Sequence, residues 1–251
     1  MKISVVTGCF NSAKTIADTM RSVAEQTHPD IEHIVVDGGS WDGTLEVVRK
    51  SAGRIARLIS EPDRGIYDAM NKGLALSTGD IVGFLNSDDV YADPDSVAGF
   101  ARAFDAADVD ACYGDVIFVD QDDPSHTVRY WQAGAYAPGR LARGWMPPHP
   151  TFYVRRNIYE RSGGFDLSYR LQADFEMAIR LIEGGKIRLR YLPRTLVKMR
   201  MGGASNASVG NVIRGNLEAY RAARKHRLPV GPLFIVKKIL SRMPQFLSRP
   251  G

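Results

Sequence analysis

The first ninety residues alternate between two rhythms of hydrophobic positions. Residues 3–7, 31–37, 55–60 and 80–85 are short, nearly continuous apolar runs rich in Val and Ile, which predict buried strands. Between them apolar positions recur at helical spacing: Ile16, Met20 and Val23; Leu45, Val47 and Val48; Ile66, Met70 and Leu74. The punctuation agrees. Asn11 or Ser12 can cap the first helix and Pro29 stops it; Gly38-Gly39 ends the second strand, and Asp42 can cap the second helix. Strands apolar on both faces and alternating with helices predict the α/β class, a mostly parallel sheet with helices on both faces. Such sheets take ligands at the carboxyl ends of their strands. Asp37 ends one strand and Asn86-Ser87-Asp88-Asp89 end another, which marks that edge for chemistry.

After residue 90 the pattern loosens. Helices are expected over 95–106, 174–183 and 209–226, and strands over 110–119, 128–131, 152–154 and 187–192. Residues 132–150, rich in Gly and Pro, form a loop of a length that is usually functional. Gly163-Gly164-Phe165-Asp166 reads as a turn. Residues 229–251 make a Pro-bounded tail. Within it Pro232 suits a first helical position. Leu233, Val236, Ile239, Leu240, Met243 and Leu247 then share one face, and Lys237, Lys238, Ser241, Arg242 and Gln245 the other, with Pro244 as an early stop.

At 251 residues the chain can bury one large core without staples, and 44% hydrophobic with 24% charged residues excludes a disordered or fibrous protein. Cys9 and Cys112 cannot build a disulfide framework and lack metal-ligand spacing; both read as buried thiols of a reducing compartment. No run of 18 apolar residues occurs, and the amino terminus lacks the pattern of a secretory signal, so a cytoplasmic location is expected. The formal charge of +5 hides an asymmetry. Residues 1–174 hold 17 Lys/Arg against 25 Asp/Glu; residues 175–251 hold 16 against 3. The acidic part suits a divalent cation. The basic part suits phosphate, nucleic acid or an anionic membrane, or is a solvated basic surface.

The common phosphate and hydrolase motifs are missing: no G-x-G-x-x-G follows the first strand, and there is no P-loop, G-x-S-x-G or H-E-x-x-H. The five histidines lack ligand spacing, so carboxylates must carry the chemistry. Asp88-Asp89 leads. Adjacent carboxylates at a strand end repel each other unless a cation joins them, and carboxylate, water and substrate phosphate commonly hold Mg²⁺ together. An Asp-Asp turn is the plainer alternative.

Four segments in one order carry a resemblance: SVVTGCFNSAKTIADTMRSVAEQTHPDIEHIVVDGGSWDGT (4–44), SEPDRGIYDAMNKGLALSTGDIVGFLNSDD (60–89), PPHPTFYVRRNIYERSGGFD (147–166) and LQADFEMAIRL (171–181). Together they resemble the family 2 nucleotide-sugar glycosyltransferases, which have the GT-A fold. EPDRGIYDAMNKG and FLNSDD are closest to bacterial surface-polysaccharide enzymes of the colanic-acid type. The resemblance assigns roles. Thr7 and Asp37 are expected at the nucleotide, Asp37 at its base, with Gly38 where the family usually has a second acid. Arg64 lies in the segment that reaches the nucleotide, with Asn71 and Lys72 on the helix after it. Asp88 and Asp89 match the D-x-D-type motif for ribose and metal, although Asn86 stands where the family string begins with Asp. Asp174 matches the acid of the E-D-type motif, the catalytic base, with Ala173 in place of the preceding Glu. His149 is a contact to acceptor or metal, or a structural loop histidine. Trp131 and Trp145 either stack on a sugar or are buried. Arg200, Gly202 and Gly203 are candidates to close over a diphosphate.

The implied enzyme is a metal-dependent, inverting glycosyltransferase of bacterial polysaccharide biosynthesis. It would use Mg²⁺ or Mn²⁺ and a UDP- or GDP-sugar, with a glycan or lipid-linked acceptor. Residues 1–228 would form the GT-A domain, 1–89 its nucleotide half and 90–228 its acceptor and catalytic half, with 229–251 as a basic amphipathic tail. Over 232–247 the tail is expected on an anionic membrane surface; its own core and a second copy in a homodimer are the alternatives. A nucleotidyltransferase is the rival enzyme. It needs a phosphate-gripping loop after the first strand, of which GCFNSAKT is a weak version, and it leaves Asp174 idle. The rival from another class is a basic nucleic-acid-binding protein using 214–249. No reading motif or interleaved aromatics occur there, so no nucleic-acid partner is expected.

Overall fold

The computed structural model describes residues 1–51, 55–202 and 208–240. Its centre is the set of apolar runs at the start of the chain. β1 (Ile3–Cys9), β2 (Ile31–Asp37), β3 (Ile55–Ser60) and β4 (Ile81–Phe84) are parallel and lie in the order β3-β2-β1-β4. Every residue of β1 and β4 is buried. Alternate side chains go to opposite faces, as strand geometry requires. Val6, Ile34 and Val36 meet the α3 helix (Ile66–Leu76) on one side; Cys9 and Val35 meet α1 (Ile16–Ala24) and α2 (Thr44–Lys50) on the other. The α3 helix lies so close to β1 that a Cβ at Gly73 would come within 2.2 Å of Val6 Cγ1.

Neither cap expectation is met as drawn. Asp42 stands one residue before the Gly43 N-cap of α2, where its carboxylate accepts from the Thr44 amide at 3.0 Å. Asn11 and Ser12 do not cap α1, which begins four residues after Ser12; Asn11 instead takes a left-handed conformation (φ 49°) and receives the Trp41 amide.

Beyond β4 the sheet changes character. β8 (Tyr153–Arg155) pairs antiparallel with β4 and with β6 (Ala111–Val119). β9 (Leu189–Arg200) runs parallel to β6, β5 (Val90–Tyr91) closes the edge antiparallel to β9, and β7 (Thr127–Trp131) forms a hairpin with β6. The sheet is therefore parallel through its first half and mixed thereafter. β9 extends eight residues past the expected end at 192 because Pro193 falls in a bulge, where Leu192 faces Gly114 and Thr195 faces Asp115. A missing amide hydrogen costs nothing there.

The remaining helices are α4 (Ser96–Ala103), α5 (Arg156–Ser162), α6 (Ala173–Ile179), α7 (Val209–Lys225) and α8 (Phe234–Leu240); α6 continues into a π turn over Arg180–Gly184. Loop 132–150 is tied down by Asp115, whose carboxylate accepts from Tyr130 Oη, Tyr191 Oη and the Ala133 amide. The tail is docked where it is described: Phe234 of α8 is buried between Phe175 and Tyr220. Lys238 is buried as well, which removes it from the solvent-facing basic stripe expected of the tail. Residues 241–247 of that stripe lie outside the described residues.

Candidate active site

The parallel half brings its strand ends to one edge, with Cys9 opposite Asp37 and Val6 opposite Phe84. Asp37 is fully buried there. Its carboxylate accepts from the Gly39 and Ser40 amides, from Ser40 Oγ, and from Ser60 Oγ at 2.7 Å. Burial opposes ionisation, but these donors outweigh it and hold the carboxyl below its ordinary range. Asp37 thus shapes the turn after β2. Gly38 lies against Asp63: a Cβ at 38 would be 2.4 Å from Asp63 Oδ2. The space of the family's second acid is filled by a carboxylate from the loop before α3. Phe10 and Trp41 meet edge-on at 5.1 Å beside this edge, and Trp41 is 76% exposed.

The other residues expected near the nucleotide separate by their partners. Arg64 is held by Asp68 at 3.1 Å and leaves its side chain 76% exposed at the rim. Thr7 is buried, its hydroxyl 2.9 Å from His33 Nε2. Both ends of the Asn71 amide are taken by the backbone of Phe165, at 2.9 and 2.8 Å. Lys72 holds the Pro62 carbonyl and Glu61. These three side chains brace the site from within.

Asp88 and Asp89 follow β4. Asp89 is 1% exposed; its carboxylate accepts from Asn86 Nδ2 at 2.9 Å and its carbonyl from Thr19 Oγ1 at 2.8 Å. Asp88 is half-buried. Burial pushes both carboxyls above the ordinary range. Asp89 goes furthest, because the charge of Asp88 adds to the burial. Carboxylates in that condition gain from a cation, so the pair fits a divalent metal. Among the described residues no cluster of three or more His, Cys, Asp or Glu could hold one, so the remaining ligands would be phosphate and water. Arg200 is not placed as a diphosphate clamp. It is 8% exposed and donates to the Asp88 carbonyl at 3.1 Å and to Asp18 Oδ2 at 2.6 Å, locking the turn from behind. Gly202 is exposed, with φ +105°; Gly203 lies outside the described residues.

Asp174 is the second residue of α6. Its Oδ1 accepts from Tyr67 Oη at 3.1 Å and from the Phe175 amide at 2.8 Å. Burial, and then the charge of Asp174, hold the Tyr67 phenol well above its ordinary value, so it stays a donor. Glu218 of α7 accepts from the Leu171 and Gln172 amides and fixes the start of α6. Asp174 lines a cleft of about 170 Å³ with His149, Trp131, Gln172, Asn211, Asn216 and Lys238 among others. His149 stacks on Phe84 at 5.6 Å, and its Nε2 has no hydrogen-bond partner among the described residues. Burial lowers its pKa against the pull of Asp174, which keeps the imidazole neutral. Trp145 does not line the cleft. Its indole donates to the Ala133 carbonyl at 2.8 Å and packs against Tyr113 and Tyr136, so it braces the loop.

Residues 4–170 match the family model described as Glycosyl transferase family 2. The chain is a family 2 glycosyltransferase. It is 32% identical over 213 residues to a "PGL/p-HBAD biosynthesis glycosyltransferase" of Mycobacterium tuberculosis, covering 82% of this chain and 80% of the relative. An uncharacterized glycosyltransferase of the same species is 32% identical over 71% of this chain and 68% of its own. Among solved structures, S. aureus TarS 1-349 in complex with UDP-GlcNAc superposes with a TM-score of 0.65 at 18% identity, over 98% of this chain and 72% of that one. The mannosyltransferase PcManGT of Pyrobaculum calidifontis, in complex with GDP-Man and Mn²⁺, gives 0.64 at 19% identity, over 100% and 76%. These likenesses bear out the GT-A fold.

Four residues of the candidate site escape a reading of the sequence. Tyr67 sits inside the EPDRGIYDAMNKG string, yet its partner is 107 residues away. Asp63 shows itself only as the filler of the space at Gly38. Trp41 looks like one more loop residue until Phe10 is placed beside it. Lys238 falls in a basic stripe that reads as solvent-facing.

Proposed function

We propose that this glycosyltransferase moves a sugar from a nucleoside-diphosphate donor to an acceptor hydroxyl in one displacement, with inversion. The observation that carries the reading is Asp174. It is the one carboxylate among the described residues that line the cleft, and a buried phenol orients it. A hydroxyl is a poor nucleophile until a base takes its proton. Asp174 takes that proton as the acceptor oxygen bonds to the anomeric carbon. The bond from that carbon to the diphosphate oxygen breaks and the diphosphate leaves. One base and no second carboxylate among the described lining residues favour a single inverting step. His149, kept neutral beside Asp174, would accept from or donate to the acceptor.

Asp88 and Asp89 would hold a divalent cation, which supplies a Lewis acid for the charge developing on the leaving diphosphate. Their raised carboxyls support this, as do the donors named for the two solved neighbours and the Mn²⁺ named for one. The exposed Phe10–Trp41 pair and Arg64 support a nucleotide at the same edge, with a base stacked on the rings.

The PGL/p-HBAD biosynthesis named for the mycobacterial relatives supports a role in assembling a glycan or lipid-linked product, which we propose is made at an anionic membrane. The exposed Leu233, Val236, Ile239 and Leu240 of the tail, in a carboxy-terminal region of strong positive charge, support contact with that membrane. Among the described residues no helix is long and apolar enough to cross one.

The test is Asp174→Asn. Transfer should fall by about 10² to 10⁴-fold, the usual contribution of a general base. Calorimetric affinity for UDP or GDP with Mn²⁺ should stay within about threefold of wild type. A variant keeping more than about a tenth of wild-type turnover would give the base to another residue.

A further inference from the structure

The cleft around Asp174 carries two cations against one carboxylate among its described lining residues: Arg129 and Lys238 against Asp174. Lys238 is only 2% exposed. Its ammonium donates to Gln172 Oε1 at 2.9 Å and lies 5.4 Å from the centre of the Phe175 ring. Gln172 and Phe175 flank Asp174 in sequence, so the lysine is fixed at the start of the helix that carries the base. Two elements hold it there. Phe234, one turn earlier in α8, is buried against Phe175 and Tyr220. Gly144 of loop 132–150 comes so near that a Cβ on it would lie 2.5 Å from Lys238 Cβ. Arg129 comes from β7, its guanidinium 3.8 Å over the Phe118 ring. Trp131, Met146 and Val212 give the same cleft apolar wall.

A desolvated cation gains most from an anion brought within hydrogen-bond reach. An anion could not rest beside the Asp174 carboxylate without cations to offset the repulsion. We propose that Lys238 and Arg129 make this cleft select an acceptor that carries an anionic group, phosphate or carboxylate, next to an apolar body. The inference rests on reading the Asp174 cleft as the acceptor site. It gives the tail a second role: the helix whose outer face is apolar supplies, from its inner face, a residue that sorts acceptors.

The test uses the full chain loaded with UDP and Mn²⁺, with tryptophan fluorescence reporting binding through Trp131, which lines the cleft. Three probes share a decyl chain and a glucose-type ring: neutral decyl glucoside, decyl glucuronide, and a decyl phosphodiester of glucose. Wild type should bind at least one anionic probe about tenfold more tightly than the neutral one. Lys238→Met keeps the stem against Phe175 and should reduce that preference to about one, with Arg129→Met as the second variant. Lys238→Arg should retain it. The glucuronide and phosphodiester arms decide which anion is the natural one. Equal binding of all three probes, no binding of the anionic probes at millimolar concentration, or an undiminished preference in both Met variants would overturn the proposal. Binding preference is read without turnover. A catalytically competent Asp174→Asn beside an intact anionic preference would therefore refute the base and leave this inference standing.

Discussion

Replacing Asp89 by Asn separates a metal ligand from a turn residue. The side chain is buried and accepts from Asn86 Nδ2 and from the Arg200 amide. The amide of Asn keeps that shape and can still accept through its one oxygen. What is lost is a charge that burial and Asp88 both disfavour. A buried ion costs several kcal/mol, part of it recovered here through Asn86 and the nearby Arg200. A net stabilisation of about 1–2 kcal/mol is expected in chelator at pH 7.5, a rise of roughly 2–8 °C in Tm for a chain of this size. The sign follows from linkage. A carboxyl raised in the folded state binds protons that the unfolded chain has released. Wild-type stability therefore falls as pH climbs from the ordinary carboxylate range toward the raised native value. The advantage of the variant should be absent at acidic pH and open as pH rises. With Mn²⁺ and UDP or GDP at about 100 times Kd the order should reverse, because wild type gains about 2.7 kcal/mol by mass action and the variant little. Differential scanning fluorimetry in the two buffers reads both halves. A variant less stable than wild type in chelator, or stabilised equally by metal and nucleotide, would refute the reasoning.

Two further outcomes can be checked. Glu32 is buried and receives Ser4 Oγ, Lys2 Nζ and both donors of Thr78. Burial opposes its ionisation, but those bonds pull its pKa down from 4.5 to about 2. Glu32→Gln should cost about 3 kcal/mol at pH 7 by denaturant titration, with the difference fading below the unfolded value and gone near pH 2. An earlier loss, as pH falls from 6.5 toward 4, comes from His33, which burial holds down to about 4, and should be common to both proteins. The double variant Ile239→Asp/Leu240→Asp changes only exposed tail positions and keeps Phe234 and Lys238. Wild type should co-sediment with phosphatidylglycerol vesicles at low salt and the variant should not; equal behaviour would remove the tail from the membrane.

β1, β2 and β4 are legible because burial on both faces writes itself as runs rich in Val and Ile, whereas β3 lies at the sheet edge with no residue fully buried and shows only the shorter pattern IARLIS. β9 runs past the expected end at 192 because a bulge absorbs Pro193, and such a bulge has no signature in the strand itself. β5 is two residues long and carries no period. The site divides the same way. Asp88, Asp89 and Asp174 announce themselves by type and by their place at the ends or starts of elements. The groups that contact them do not: Tyr67 reaches Asp174 across 107 positions, and Arg200, which holds the Asp88 carbonyl, reaches Asp18 across 182. Contacts of that range leave no local pattern, and only the folded sheet brings them together.

The change of strand direction explains why the site draws on two kinds of loop. β1 and β4 are parallel, so their following segments, including 86–89, reach the ligand edge. β8 is antiparallel to β4, with Ile81 facing Arg155 and Val82 facing Val154. The beginning of β8, not its end, therefore lies toward that edge, and with it comes the segment before the strand. Hence His149 stacks on Phe84 at the end of β4. It also follows that loop 132–150 meets α8 at Gly144 and Lys238, while the segment after β8 turns away into α5. The carboxylates proposed for the donor side come from segments that follow parallel strands, and His149 of the cleft from a segment that precedes an antiparallel one. A parallel β8 would have carried His149 to the opposite edge and left Asp174 without that wall.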